Sequence, residues 1–177
     1  MAGLRKASAY SKKRVVPYTR TSKKRSKSYI KTIPHRKLVK LKMGNTKAMV
    51  EGKFKEVVGL VSEEKVLIRD NALEAVRQVV HKHMDKSVPG GYFFEVKVFP
   101  HHIMRENKMF SGGSKGERVN TGMSQSFGKT TLTAAMVKPG QPILLLHVNS
   151  QKGIQEARIA FRKCKPKIPC SSKIVVG

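Results

Sequence analysis

Residues 71–98 read NALEAVRQVVHKHMDKSVPGGYFFEVKV, and two periods meet in this one stretch. Asn71 followed by Glu74 has capping-box spacing and predicts a helix running to about Met84. Leu73, Val76, Val80 and Met84 form its apolar stripe, with Arg77 and Lys82 off it. Pro89-Gly90-Gly91 then breaks the chain. Beyond it Tyr92, Phe94, Val96 and Val98 alternate with Phe93, Glu95 and Lys97, the pattern of a strand with one buried face. A helix and a strand that each bury one side must cover one another, which points to a layered α+β arrangement.

The flanking sequence extends that pattern. Val57 to Leu60 and Val66 to Arg69 read as short strands around the polar Ser62-Glu63-Glu64 turn. Thr131 to Val137 reads as a strand, Pro139-Gly140 as a turn, and Ile143 to Val148 as the hairpin partner. A second helix is expected from about Lys152 to Cys164, with Ile154, Ala157, Ala160, Phe161 and Cys164 inward, and Lys173 to Val176 closes as a strand. The expected fold is a two-layer α+β sandwich of two helices on a mixed or antiparallel sheet, one domain over residues 29–177. Leu73, Phe94 and Leu145 are expected in its core. Between strands lies a break, Pro100 to Lys129, rich in glycine and basic residues. A loop of that length is far beyond the usual ~4–6 residues and is expected to be functional, threaded against a folded RNA.

Charge narrows the partner. The 177 residues hold 37 Lys+Arg against 11 Asp+Glu, a net charge of +26, and residues 1–50 hold 16 of the Lys and Arg and no Asp or Glu. Such a surplus self-repels in a compact monomer and suits a polyanion. Residues 1–28 combine Lys12, Lys13, Arg14, Lys23, Lys24, Arg25 and Lys27 with almost no aliphatic pattern. They are expected to be disordered when free and to order as an extended RNA-binding arm. Tyr10, Tyr18 and Tyr29 interleave with the charges and suit base stacking. A second basic run, Arg158, Arg162, Lys163, Lys165, Lys167 and Lys173, follows the last acid, Glu156. No apolar run approaches the ~18–20 residues that span a bilayer, and no signal-peptide pattern opens the chain. Two cysteines, Cys164 and Cys170, make no disulfide scaffold, so a cytoplasmic protein with reduced thiols is expected.

Three enzymatic readings fail on spacing. Gly128-Lys129-Thr130 resembles the end of a phosphate-binding loop, but the preceding glycine is Gly122, one residue too far away. His81, His83, His101, His102, Cys164 and Cys170 match no closed tetrahedral zinc set. No nucleophile elbow is present. No catalysis, cofactor, metal or small-molecule substrate is expected. A DNA-compacting or other basic RNA-binding protein would explain the charge but not the motifs that follow.

The run from Tyr92 to Met109, with Pro100-His101-His102-Ile103-Met104-Arg105-Glu106-Asn107-Lys108-Met109 at its end, resembles the signature of a large-subunit ribosomal protein family. It is called L-ten-e in archaea and eukaryotes and L-sixteen in bacteria. Arg118-Val119-Asn120-Thr121-Gly122-Met123-Ser124-Gln125-Ser126-Phe127-Gly128-Lys129 is similar to the family's R-x-x-x-G-M-x-x-x-F-G-K pattern. Asn71 to Ala75, Lys173 to Val176, Tyr29-Ile30-Lys31 and Lys42-Met43-Gly44-Asn45 match too, the last two in the archaeal manner. The resemblance covers about residues 29–177. It departs at the longer basic start, at Thr130 where proline is usual, and at Gln141-Pro142.

That resemblance implies an α+β domain with hammerhead-like strands. It implies a place on large-subunit rRNA near the base of the central protuberance, among neighbouring ribosomal proteins and beside the A-site tRNA. Arg105, Asn107, Lys108 and Lys129 would then contact rRNA or tRNA, with His101 and His102 at the loop's base and Met109, Met123 and Phe127 as its anchors. Arg14, Lys24, Arg25, Lys31, Arg36, Arg118, Arg162 and Lys163 complete the expected RNA-binding set.

Overall fold

A computed structural model of the chain describes residues 26, 30–106 and 129–177. In chain order the elements are β1 (Lys42–Gly44), α1 (Thr46–Val50), β2 (Glu56–Ser62), β3 (Val66–Arg69), α2 (Asp70–Ser87), β4 (Tyr92–Val96) and β5 (His102–Glu106). There follow β6 (Lys129–Val137), β7 (Pro142–Val148), α3 (Gln151–Cys164), a 3-10 turn at Lys165–Lys167, and β8 (Ser172–Val176). The α+β class stands, with three helices and antiparallel sheets. The short helix α1, opened by the Asn45 side chain accepting from the Ala48 N–H at 3.0 Å, was not foreseen.

The strands form two sheets rather than one. Sheet A has the order β1-β4-β7-β2-β8, and sheet B the order β3-β6-β5. This corrects the expected hairpin: β6 and β7 are neighbours in sequence but sit in different sheets, each at the middle of its own. Ile143, Leu144 and Leu146 are fully buried on both faces of β7, a pattern that demands a central strand with neighbours on either side. β2 and β3 divide in the same way. The two crossings are tied together at Ser62, whose N–H donates to Gln141 O at 3.1 Å and whose carbonyl accepts from Gly140 N–H at 2.8 Å. Gly140, at φ 78°, makes the turn that this contact needs.

The helices cover one face of sheet A. α2 packs against β3, β4, β6 and α3, so it bridges both sheets, whereas α3 packs on α2, β2 and β7. The stripe Leu73, Val76, Val80 and Met84 is fully buried, as its spacing requires, against Tyr92, Phe94, Ala157, Ala160, Phe161 and Cys164. Each such large side chain contributes about 1.5–3 kcal/mol through burial. A smaller cluster, Leu67, Met104, Leu132 and Ala134, lies on sheet B. Leu145, expected in the core, faces the other side of sheet A and is only half-buried, while Phe93 on that same side is 4% exposed. The helix start also differs. α2 begins at Asp70 with Asn71 already inside it, because Asp70 takes the first N–H and Glu74 is held by Arg77 instead of reaching back.

Candidate nucleic-acid interface

The expected loop is shorter at its start than the sequence suggested. Residues 102–106 form β5, because Met104 is buried on sheet B and its strand pairs antiparallel with β6. Glu106 stands opposite Lys129 and Arg105 opposite Thr130, so the segment between leaves and re-enters the domain at one end of one strand pair. Asn107, Lys108, Met109, Arg118, Met123 and Phe127 lie outside the described residues, as do Arg14, Lys24 and Arg25.

At the opposite end of β5 from that segment, just before His102, the chain builds a mixed aromatic and cationic surface. Phe99 is 45% exposed, and the Arg36 guanidinium lies 4.7 Å from its ring centroid, a cation–π contact. The His101 N–H donates to Phe99 O at 2.9 Å, which turns the backbone sharply and leaves His101 exposed. His102 is half-buried; burial, with the adjacent His101, pushes its pKa below the ordinary imidazole value. Its Nδ1 is buried with no hydrogen-bond partner among the described residues. Lys31 and Lys129 are exposed.

The segment carrying Lys31 and Arg36 is held to the domain by carboxylates that the sequence did not single out. Asp70, fully buried at the start of α2, accepts from the Lys37 N–H at 3.0 Å and the Thr133 hydroxyl at 3.2 Å. Glu74 accepts from the Val39 N–H at 3.3 Å and from Arg77 Nε at 2.8 Å. The hydrogen bonds from Arg77 are the main cause holding the Glu74 carboxyl below its ordinary value, and Glu74 in turn raises Arg77. A buried Asp next to a helix start is a detectable signal; its partners at 37 and 133 are too distant in sequence to infer.

Arg162 and Lys163 belong to a different surface, in the last turn of α3, where cations also suit the helix dipole. Lys163 Nζ lies 3.2 Å from His83 Nδ1, and His83 Nε2 lies 2.9 Å from Glu156, so the helices α2 and α3 are cross-linked. Arg158 and Arg162 line a shallow depression with Ile174. His81 and His83 are half-buried and hydrogen-bonded, His81 Nδ1 to Tyr92 Oη at 2.7 Å. Cys164 is a core residue, its thiol pushed up to about 12 by burial. Among the described residues no three His, Cys, Asp or Glu side chains gather as metal ligands, and no helix is long and apolar enough to cross a membrane.

The sequence profile described as "Ribosomal protein L16p/L10e" matches residues 16–175. The chain belongs to this family. The match starts within the basic extension, upstream of residue 29 where the motif resemblance began. Among curated L16p/L10e relatives, "Large ribosomal subunit protein uL16" of Methanococcus maripaludis is 42% identical over 161 residues, covering 89% of this chain and 90% of its own length. The protein of that name from Hyperthermus butylicus is 40% identical over 163 residues, 90% of this chain and 83% of the relative. That of Staphylothermus marinus is 38% identical over 175 residues, 97% and 92%. All three are archaeal-type relatives, as the Tyr29 and Lys42 motifs implied. The long L16p/L10e signature of residues 92–109 thus covers β4 and β5, where it fixes the base of the 107–128 segment.

Proposed function

We propose that this L16p/L10e protein is a structural constituent of the large ribosomal subunit in the cytoplasm, bound to its rRNA and helping to shape the A-site tRNA region. The observation that carries the reading is the distribution of charge: +26 overall, with no acidic residue in 1–50, on a chain about 40% identical to proteins named for the large subunit. Lysine and arginine neutralise phosphates and release counterions, which supplies affinity without catalysis. Residues 1–28 act as an rRNA-binding extension, and the segment between β5 and β6 reaches tRNA from the Glu106 and Lys129 end of its strand pair.

Arg105 is the residue to test, since a guanidinium makes forked phosphate contacts that lysine does not reproduce. Arg105→Ala protein should enter large subunits that sediment normally yet hold A-site tRNA more weakly. Wild-type tRNA binding by those subunits would remove the A-site role. Failure of the wild-type protein to co-sediment with large subunits at moderate salt would remove the whole reading.

A further inference from the structure

Between β1 and the helix α2 lies an open concavity of about 490 Å³. Its size falls within the roughly 300–1,000 Å³ of small-ligand sites. Its walls come from β1 with the residues just before it and from α2: Val39, Lys40, Lys42 and Met43 on one side, Arg77 and His81 on the other. None of these residues belongs to the Arg36, Phe99 and His101 surface.

The chemistry of the walls is specific. β1 is an edge strand. Leu41 O accepts from Val96 N–H at 2.8 Å and Asn45 N–H donates to Tyr92 O at 3.0 Å, with Met43 opposite Phe94 between them. In an antiparallel pair the alternate residues, here Lys42 and Gly44, turn their N–H and C=O away from the partner strand. Those main-chain groups therefore face the open side, with no partner among the described residues. Arg77 is neutralised by Glu74 and also donates to Met43 Sδ at 3.0 Å, so it acts as a wall rather than as a free cation. Lys40 is exposed and unpaired among the described residues, and Lys42 shares the Glu95 carboxylate with Lys97. Val39, 72% exposed, supplies an apolar surface. The His81 Nδ1 is hydrogen-bonded to Tyr92 Oη at 2.7 Å, so its Nε2 is the ring nitrogen left for a ligand.

We infer that this concavity is a binding site for one unpaired nucleotide of RNA: the base edge meets the Lys42 and Gly44 main chain and His81, its face packs on Val39, and Lys40 and Lys42 take the flanking phosphates. An extruded base presents both a hydrogen-bonding edge and an apolar face, which a paired base hides. Two exposed main-chain residues are too few to add a peptide strand, so the cationic rim favours RNA over an acidic peptide. The inference rests on the RNA-binding reading above and adds where a strand is read rather than merely neutralised.

The test uses the full chain and two RNA hairpins, one fully paired and one identical except for a single bulged adenosine. The wild-type protein should bind the bulged hairpin about tenfold more tightly. Lys40→Ala/His81→Gln protein, checked for an unchanged Tm, should lose that preference while still binding the paired hairpin through its other cations. In the wild-type protein the Val39 methyl resonances should shift with the bulged RNA and not with the paired one, a readout that needs no variant. Equal affinity of the wild-type protein for both hairpins, a preference that survives in the variant, or displacement of the bulged RNA by polyglutamate at equal charge overturns the site. Each leaves the RNA-binding reading intact. Absence of binding to either hairpin overturns that reading as well.

Discussion

Replacing Asp70 by alanine should cost about 3 kcal/mol and free the segment that precedes β1. The carboxylate is fully buried and accepts three hydrogen bonds: Asn71 N–H at 2.8 Å, Lys37 N–H at 3.0 Å and Thr133 Oγ1 at 3.2 Å. A hydrogen bond to a charged group is worth about 1.5–3 kcal/mol, and a buried donor left unpaired costs about 1–3 kcal/mol. The three do not add. The Lys37 amide lies in an exposed segment and regains water, whereas the Thr133 hydroxyl, 1% exposed, loses its partner outright. A carboxylate in the first turn adds roughly 0.3–1 kcal/mol through the helix dipole. Urea titration should therefore show a lower midpoint with an unchanged slope. Limited trypsin digestion of the native state should cut at Lys37 faster than in the wild-type chain. Asp70→Asn keeps one acceptor and should recover about half the loss. In a double-mutant cycle, Asp70→Ala and Thr133→Val should couple by about 1 kcal/mol. A loss under ~0.5 kcal/mol with unaltered cleavage at Lys37 would refute the reasoning, because the buried carboxylate would then be holding nothing.

Gly44 has φ 93°, and a Cβ there would lie 2.5 Å from Tyr92 O, so Gly44→Ala should separate β1 from β4 and destabilise by at least ~1–2 kcal/mol in thermal unfolding. Leu73→Ala and Phe94→Ala should each cost about 2–5 kcal/mol, while Leu145→Ala, half-buried on the opposite face, should cost about 1 kcal/mol; equal losses at all three would contradict the two-faced reading of sheet A. His102 and His147 are both held below the ordinary imidazole value of 6.5, chiefly by burial, with His101 and Lys97 adding to it and Glu95 opposing it at His147. The unfolded chain therefore binds more protons just below pH 6.5, so the stability from keeping these rings neutral is complete above that pH and declines as pH falls through the folded values. Denaturant midpoints measured downward from pH 7 should fall, and should fall less in His147→Asn.

The elements were legible wherever period and burial agree. The stripe of α2, the alternation of β4 and the inward set of α3 each follow from a single local rule, and each lies where its spacing puts it. What local rules do not carry is which strands meet. Thr131 to Val137 and Ile143 to Val148, joined by Pro139-Gly140, have every hairpin signal, yet their partners are β3 and β5 in one case and β2 and β4 in the other. The choice is made by Ser62, about 80 residues away in sequence, and by the need of two apolar strands to be flanked on both sides. The same limit applies to the candidate sites. Arg36 and His101 were nameable as basic residues, but the Phe99 ring between them counts only once the fold brings Arg36 over it. The spacing of Lys40, Leu41, Lys42 and Met43 did contain an edge-strand alternation; without the Arg77 and His81 helix face beside it, no concavity could be read.

Residues 129–148 supply the middle strand of both sheets. As the chain leaves the ribosome that synthesises it, N terminus first, everything up to residue 128 has emerged with β2, β3 and β5 still lacking the strands they pair with in the finished domain. Only the small β1–β4 pair has its partner by then. During that interval a long, strongly basic nascent chain displays open strand edges and apolar faces together, the state in which misassociation is most rapid. A chain ended at residue 128 should accordingly show no hydrogen-exchange protection in β2, β3 or β5. Extension to 148 should bring protection to β3, β6 and β5 and to the β2–β7–β4 ladder in a single step, so the fate of the whole domain turns on one short stretch arriving late.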